Sequence, residues 1–157
     1  MTAANSYVAA FERKAGQARL VFAVDSLSDG FVHFDAQERL VLANRRYREL
    51  HAANAAAIVA GARFEDILRS GIAHGCYPDA SGREEKWLRQ RLEAFRAARP
   101  MVNRLADGTV LEIVEHPTEK RAGLREVRVA MCRQGGCGLC LRWPRDLRSL
   151  FRDLRVL

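Results

Sequence analysis

Three cysteines near the C-terminal end form the pattern best suited to chemistry. Cys132, Cys137 and Cys140 stand as C-x4-C-x2-C within CRQGGCGLC. Thiolates at this spacing can hold one edge of a [2Fe–2S] cluster, and a fourth thiolate completes the ligand set. The only other cysteine, Cys76, lies far upstream. An iron–sulfur electron carrier is therefore one hypothesis, and free thiols in a loop are the interpretation that the sequence favours.

A second ligand set combines two separated parts of the chain. Cys137 and Cys140 with His74 and Cys76 offer a chemically acceptable set for zinc, provided that the fold brings the two halves together. His33 stands in a predicted strand on the same face as Phe31. Its imidazole either binds a pocket ligand or titrates near neutral pH, or it belongs to an ordinary strand histidine that is hydrogen-bonded or half exposed.

No arrangement of residues predicts catalysis. The chain shows no defensible pair of nucleophile and base, no glycine loop that could cradle a phosphate and no paired carboxylates. Ser28 and Asp29 are adjacent, and Asp29-Gly30 is explained by a turn into a strand. We therefore expect a protein that is not an enzyme.

Length and charge indicate one domain with appendages. The 157 residues suffice for a single core. Residues 1–119 hold 16 basic and 16 acidic side chains, whereas residues 120–157 hold 10 and 3, so the net charge of +7 lies in the tail. A neutral body predicts no binding of nucleic acid. With no apolar run of about 18 residues and no secretory signal pattern, we expect a cytoplasmic protein.

The hydrophobic pattern predicts helices and strands in separate groups. A helix over 6–24 precedes a hairpin formed by DGFVHFD and RLVLA, and Asn44 is placed to cap the helix that follows. Two further helices, over 63–74 and 84–99, precede a hairpin around Asp107-Gly108 and one more strand in GLREVRVAM. The grouping favours an α+β fold with an antiparallel sheet. We divide the chain into a flanking helix (1–24), a body (25–131) and a Cys/Arg-rich tail (132–157).

Four separated segments resemble a PAS domain of the variety found in bacterial sensor histidine kinases and cyclic-dinucleotide signalling proteins. They are SLSDGFVHFDAQERLVLANRRYREL, GARFEDILRSGIAHG, GREEKWLRQRL and RLADGTVLEIVEHPT, in the order of that family. The resemblance implies a sheet of about five strands with helices packed on one face. It also implies sensing of a small molecule or of a partner, dimerisation through flanking helices, and a separate signalling output protein.

The candidate ligand pocket is placed among residues of these segments, namely Phe31, His33, Leu42, Phe64, Ile67 and Leu68. We expect no cofactor, and haem is the alternative to the iron–sulfur cluster. His51 and His74 lie at predicted helix ends, where haem-binding PAS domains place an axial ligand.

The last 14 residues, PRDLRSLFRDLRVL, predict a basic amphipathic helix. Such a helix docks on its own domain or on a sister subunit, or it serves an adaptor that binds a membrane or nucleic acid.

Overall fold

The computed structural model describes residues 15–16, 18–19, 21–117 and 128–134. Helix α1 is described at 15–16, 18–19 and 21–25, and Leu27–Gly136 form a separate compact unit. In that unit the elements run β1 (Gly30–Phe34), β2 (Leu40–Ala43), α2 (Arg45–Leu50), α3 (Phe64–Ala73), α4 (Glu84–Arg96), β3 (Met101–Arg104), β4 (Val110–Pro117) and β5 (Arg128–Gln134). Two 3-10 helices, Ala52–Ala57 and Pro78–Ala80, flank α3. The predicted α+β class is confirmed.

The strands form one antiparallel sheet in the order β2-β1-β5-β4-β3. The last strand lies in the middle and pairs with both β1 and β4. It extends to Gln134, three residues past the boundary that the sequence suggested at 131, and it includes Cys132, which lies opposite Gly30 on one side and Ile113 on the other. Residues 128–134 therefore supply the central strand of the sheet.

A β-bulge changes the alternation of β2. Phe34 pairs with Leu40, but His33 pairs with Leu42 and Val32 with Ala43, so Val41 is the extra residue. Leu40 and Ala43 consequently both belong to the buried face, although three positions separate them. Simple two-residue alternation does not predict this arrangement.

The core lies between the sheet and the helices and is built around three phenylalanine rings. Phe34 of β1, Phe64 of α3 and Phe95 of α4 have ring centroids 4.3–5.4 Å apart. Two of these contacts are edge-to-face, which places the positive ring edge against the negative face. Rings on one strand and two helices thereby hold α3 and α4 against the sheet.

Asn44 joins the first hairpin to α2. Its Oδ1 accepts hydrogen bonds from the backbone N–H of Tyr47 and of Phe31, each at 2.8 Å, and its Nδ2 donates to the carbonyl of Asp29 at 3.0 Å. The first bond caps α2, and the other two fasten the beginning of β1. One buried amide thus sets the direction in which the chain leaves β2.

Candidate functional site

A small cavity lies inside the core, between the sheet and helices α2, α3 and α4. Its volume is about 20 Å³. Apolar and aromatic side chains form most of its wall, and three buried polar side chains, those of His51, Arg91 and Asn103, complete it. The full lining consists of Val32, Phe34, Tyr47, His51, Phe64, Leu68, Tyr77, Arg91, Phe95, Asn103 and Ile113. A cavity of 10–15 Å³ already holds about one water molecule, so this one accommodates a very small occupant.

The strongest electrostatic feature of this region is a buried ion pair. Arg91 Nη1 lies 2.7 Å from Glu115 Oε1, and the two side chains are 4% and 0% exposed. The guanidinium also lies over the Phe64 ring, 5.0 Å from its centroid, where the face of the ring attracts a cation. Two charges out of water are tolerated because each compensates the other.

The positions of both charges follow from the periodicity of their elements. Arg91 lies four residues after Trp87 and four before Phe95, both buried, so it belongs to the apolar face of α4. Glu115 follows buried Leu111 and Ile113 at two-residue intervals and therefore faces the same core. Sequence reasoning missed both residues. The available signal was an arginine on an apolar helix face together with a glutamate on the inward face of a strand.

His51 supplies the third ionisable group of the cavity. It ends α2, it is 8% exposed, and its ring lies 4.6 Å from that of Tyr47. Burial, and then the positive charge of Arg91, lower the pKa of His51 to about 4, so the imidazole is neutral at neutral pH. Its Nε2 atom and the Nε atom of Arg91 are both buried without a hydrogen-bond partner among the described residues.

Asn103 completes the polar part of the wall from the sheet. It is 5% exposed and is the buried residue of β3, whose neighbours Val102 and Arg104 face solvent. Its amide carries both donors and an acceptor. The cavity thus presents polar groups from the end of α2, from α4 and from β3, enclosed by a largely apolar wall.

The structure brings only two of the six predicted pocket residues to the cavity. Phe64 and Leu68 line it, and Ile67 lies in the surrounding core. Phe31 and His33 are buried but alternate with Val32 and Phe34, which line the cavity, so they belong to the opposite face of the sheet. Leu42 pairs with His33 because of the bulge at Val41. These three residues therefore lie outside the lining of this cavity.

His33 nevertheless has a perturbed environment. It is 8% exposed, and burial lowers the pKa of His33, an effect that the nearby Asp35 carboxylate opposes. Its Nδ1 atom has no hydrogen-bond partner among the residues the structure describes. His33 is thus a buried strand histidine outside the cavity lining, and its role stays a prediction.

The predicted metal ligands are only partly within the described chain. Cys132 lies in β5, whereas Cys137 and Cys140 are outside the described residues. His74 is exposed, with Nδ1 2.8 Å from the Ser70 carbonyl, and Cys76 is buried. Over residues 15–117 and 128–134, apart from the gaps at 17 and 20, no three His, Cys, Asp or Glu residues form a metal-binding group.

A haem group does not fit the described interior. His51 reaches the cavity, but a space of about 20 Å³ is far smaller than a porphyrin. His74, the other predicted axial ligand, is on the surface and does not line the cavity.

The sheet order, the helices across one face and the cavity between them are those of a PAS fold. The family model described as "PAS fold" matches residues 24–125, about two thirds of the chain. The protein belongs to the PAS family, and the resemblance found in the sequence is confirmed. Within the described residues, no helix combines the length and the apolar character needed to cross a membrane.

Several solved structures are similar to this chain at low sequence identity. The RsLOV d2 variant has a TM-score of 0.50 and 16% identity, with 88% of this chain and 81% of that chain covered. The Rhodobacter sphaeroides LOV protein has a TM-score of 0.49 and 12% identity, with 92% of this chain and 84% of that chain covered. The PAS domain of Bordetella pertussis BvgS has a TM-score of 0.47 and 16% identity, with 88% of this chain and 95% of that chain covered. No curated protein sequence matches this chain.

Proposed function

We propose that this protein is a sensory module of a signal-transduction system, acting in the cytoplasm through the cavity of its PAS domain. The observation that carries the proposal is the set of buried polar groups of His51 and Arg91 at a cavity that is otherwise apolar. Buried polar atoms are normally satisfied by protein or by water. Those left without a protein partner are therefore available to an occupant.

The proposed mechanism is a shift between two packings of the domain. The cavity wall draws residues from the sheet and from three helices, so an occupant contacts all of these elements at once. An occupant that prefers one packing stabilises it by the difference between its affinities for the two. No covalent step is part of the proposal, and the domain transmits the change to a separate output protein.

Association of two copies through α1 is the second part of the proposal. Phe22 is 79% exposed and Val21 is 36% exposed on this helix. A large exposed aromatic residue next to a second apolar one favours contact with another protein surface. The family membership supports a sister copy as the partner, because PAS domains commonly pair through flanking helices.

An NMR screen tests the sensing function. Small neutral, anionic and cationic compounds are added to the ¹⁵N-labelled protein, and amide shifts are recorded. A ligand is expected to shift the amides of Tyr47, His51 and Asn103 together. The variant Leu68→Phe fills the cavity wall and should lose the response, whereas Val59→Phe, at a position 54% exposed, should keep it.

Two results of this screen contradict the proposal. One is a panel in which no compound shifts the cavity amides. The other is an equal response in the wild-type protein and in Leu68→Phe, because binding would then occur outside the cavity.

A further inference from the structure

The cavity restricts its occupant by size. At about 20 Å³ it exceeds the 10–15 Å³ that one water molecule needs but leaves little additional room. Phe34, Phe64 and Phe95 pack against one another along its wall, which limits local expansion. An occupant of one or two heavy atoms fits the space as it stands.

Charge restricts the occupant further. The Arg91 guanidinium is already balanced by Glu115 at 2.7 Å, so an added anion would leave one uncompensated negative charge in the core. An added cation would meet the arginine directly. His51 is held neutral by burial and by Arg91, and it contributes no charge at neutral pH. The occupant that this balance favours is neutral.

Hydrogen bonding identifies the functional group. Arg91 Nε–H can only donate, because a guanidinium has no acceptor. Nε2 of a neutral imidazole is a donor or an acceptor according to the tautomer. A hydroxyl oxygen can accept a hydrogen bond from Arg91 Nε–H. If His51 Nε2 is unprotonated, the hydroxyl donates its O–H to that nitrogen, and if Nε2 is protonated, the hydroxyl oxygen accepts from it with its second lone pair. One hydroxyl group therefore satisfies both side chains in either tautomer of the imidazole. A carbonyl oxygen satisfies both in only one tautomer.

We infer that the cavity lined by His51, Arg91 and Asn103 is a binding site for one small neutral hydroxyl compound, occupied by a single water molecule when no other ligand is present. The hydroxyl accepts from Nε–H of Arg91 and hydrogen-bonds to Nε2 of His51. This assignment names the ligand class of the proposed sensory cavity and rests on that function for its biological use.

Crystal structures of the full chain test the occupancy. Crystals grown without additives should show one water within hydrogen-bond distance of both His51 Nε2 and Arg91 Nε. Crystals soaked in methanol should show its oxygen at the same place, whereas soaking in sodium formate should leave the water in position. An empty cavity, or formate in place of the water, would overturn the assignment.

Solution NMR excludes binding that occurs only at crystal concentrations. Long-range ¹H–¹⁵N spectra resolve the ring nitrogens of histidine, and methanol should shift Nε2 of His51 in a saturable manner. The nitrogens of His74, which is exposed, serve as the internal control. The variant His51→Phe should abolish the methanol response at the amide of Asn103, and His74→Phe should preserve it. No saturable shift in the wild-type protein would contradict the inference whether or not the variants fold.

The two proposals fail in distinguishable ways. A bound water and a saturable methanol response, with no other compound active in the screen, would support the site and leave the wider sensing function without support. An active anionic ligand at the cavity would support sensing and overturn the neutral hydroxyl assignment.

Discussion

At the scale of single residues, Arg91 and Glu115 form a buried ion pair in the interior of the domain. Their attraction is offset by the cost of removing both charges from water, so the pair itself need not add stability. Removing only one of the two side chains does lower stability, because the remaining charge stays buried without a compensating charge. The side chains are 4% and 0% exposed, which leaves neither an easy route to solvent.

Replacing one partner should therefore cost more than replacing both. We expect Glu115→Gln to lower the free energy of unfolding by about 3–5 kcal/mol, whereas Arg91→Met with Glu115→Leu should recover most of this loss. Urea unfolding measures the three variants. Arg69→Met removes the partner of Glu85 in an exposed pair and should change stability little. A double variant no more stable than Glu115→Gln would contradict the expectation.

His51 should make stability depend on pH. Its pKa falls from 6.5 in the unfolded chain to about 4 in the folded protein. Between these values the unfolded state binds more protons, so stability is complete above pH 6.5 and declines as the pH falls toward 4. The decline attributable to His51 is on the order of 3 kcal/mol.

Urea unfolding from pH 7.5 to 4.5 measures this dependence. His51→Phe should flatten the profile, and His74→Phe should retain it. A smaller slope should remain in His51→Phe because burial also lowers the pKa of His33. Identical slopes in the wild type and His51→Phe would show that His51 is not buried as described.

At the scale of elements, two contacts determine how helices meet their neighbours. Asn44 connects β1, β2 and α2 through three hydrogen bonds and is 0% exposed. Gly71 lies on α3 where Tyr77 and Asn54 approach closely, and an added Cβ would come within 2.5 Å of the Tyr77 ring. Each position allows a test with a matched control.

Asn44→Ala should destabilise the protein by about 2–4 kcal/mol, because it removes a helix cap and leaves the buried N–H of Phe31 without its acceptor. Asn44→Asp should also destabilise the protein, since one carboxylate oxygen can still accept from both N–H groups but the other replaces the N–H donor that faces the Asp29 carbonyl, and the charge is buried. Urea unfolding compares them with Asp107→Ala, which removes a similar acceptor from the exposed turn before Thr109. An Asn44→Ala effect no larger than that of Asp107→Ala would contradict the role of the cap.

Gly71→Ala should destabilise the protein by about 1–3 kcal/mol despite the higher helix propensity of alanine, because the methyl group collides with Tyr77. Gly16→Ala is the control, since its Cβ would have no atom within 4 Å, and it should stabilise α1 by up to about 1 kcal/mol. Thermal and urea unfolding measure both variants. The absence of destabilisation by Gly71→Ala would contradict the packing described at α3, and destabilisation by Gly16→Ala would contradict the open space around that glycine in α1.

At the scale of the whole molecule, the proposed function requires association as well as ligand binding. Phe22 is the most exposed large apolar residue of the described chain, at 79%. We expect Phe22→Ser to shift the protein from dimer toward monomer, because it removes apolar area from the contact. Light scattering after size-exclusion chromatography measures the mass. Val59→Ser should leave it unchanged, and a wild-type monomer at all concentrations would refute dimerisation through α1.

The sequence alone determined the local elements and the family. Neighbouring residues carry the signals for these elements, so periodicity and turn chemistry suffice to identify them. Examples are Asn44 before an amphipathic helix, Asp107-Gly108 between alternating segments, and the helical periodicity over 84–99. The order of these elements was enough to identify the PAS family.

Tertiary structure decided which residues meet. The bulge at Val41 moved Leu42 away from the core, and the central place of β5 depends on pairings with strands distant along the chain. The contact of Arg91 with Glu115 joins a helix to a strand 24 positions later. Such long-range contacts depend on the summed packing of the whole core, which no local pattern contains.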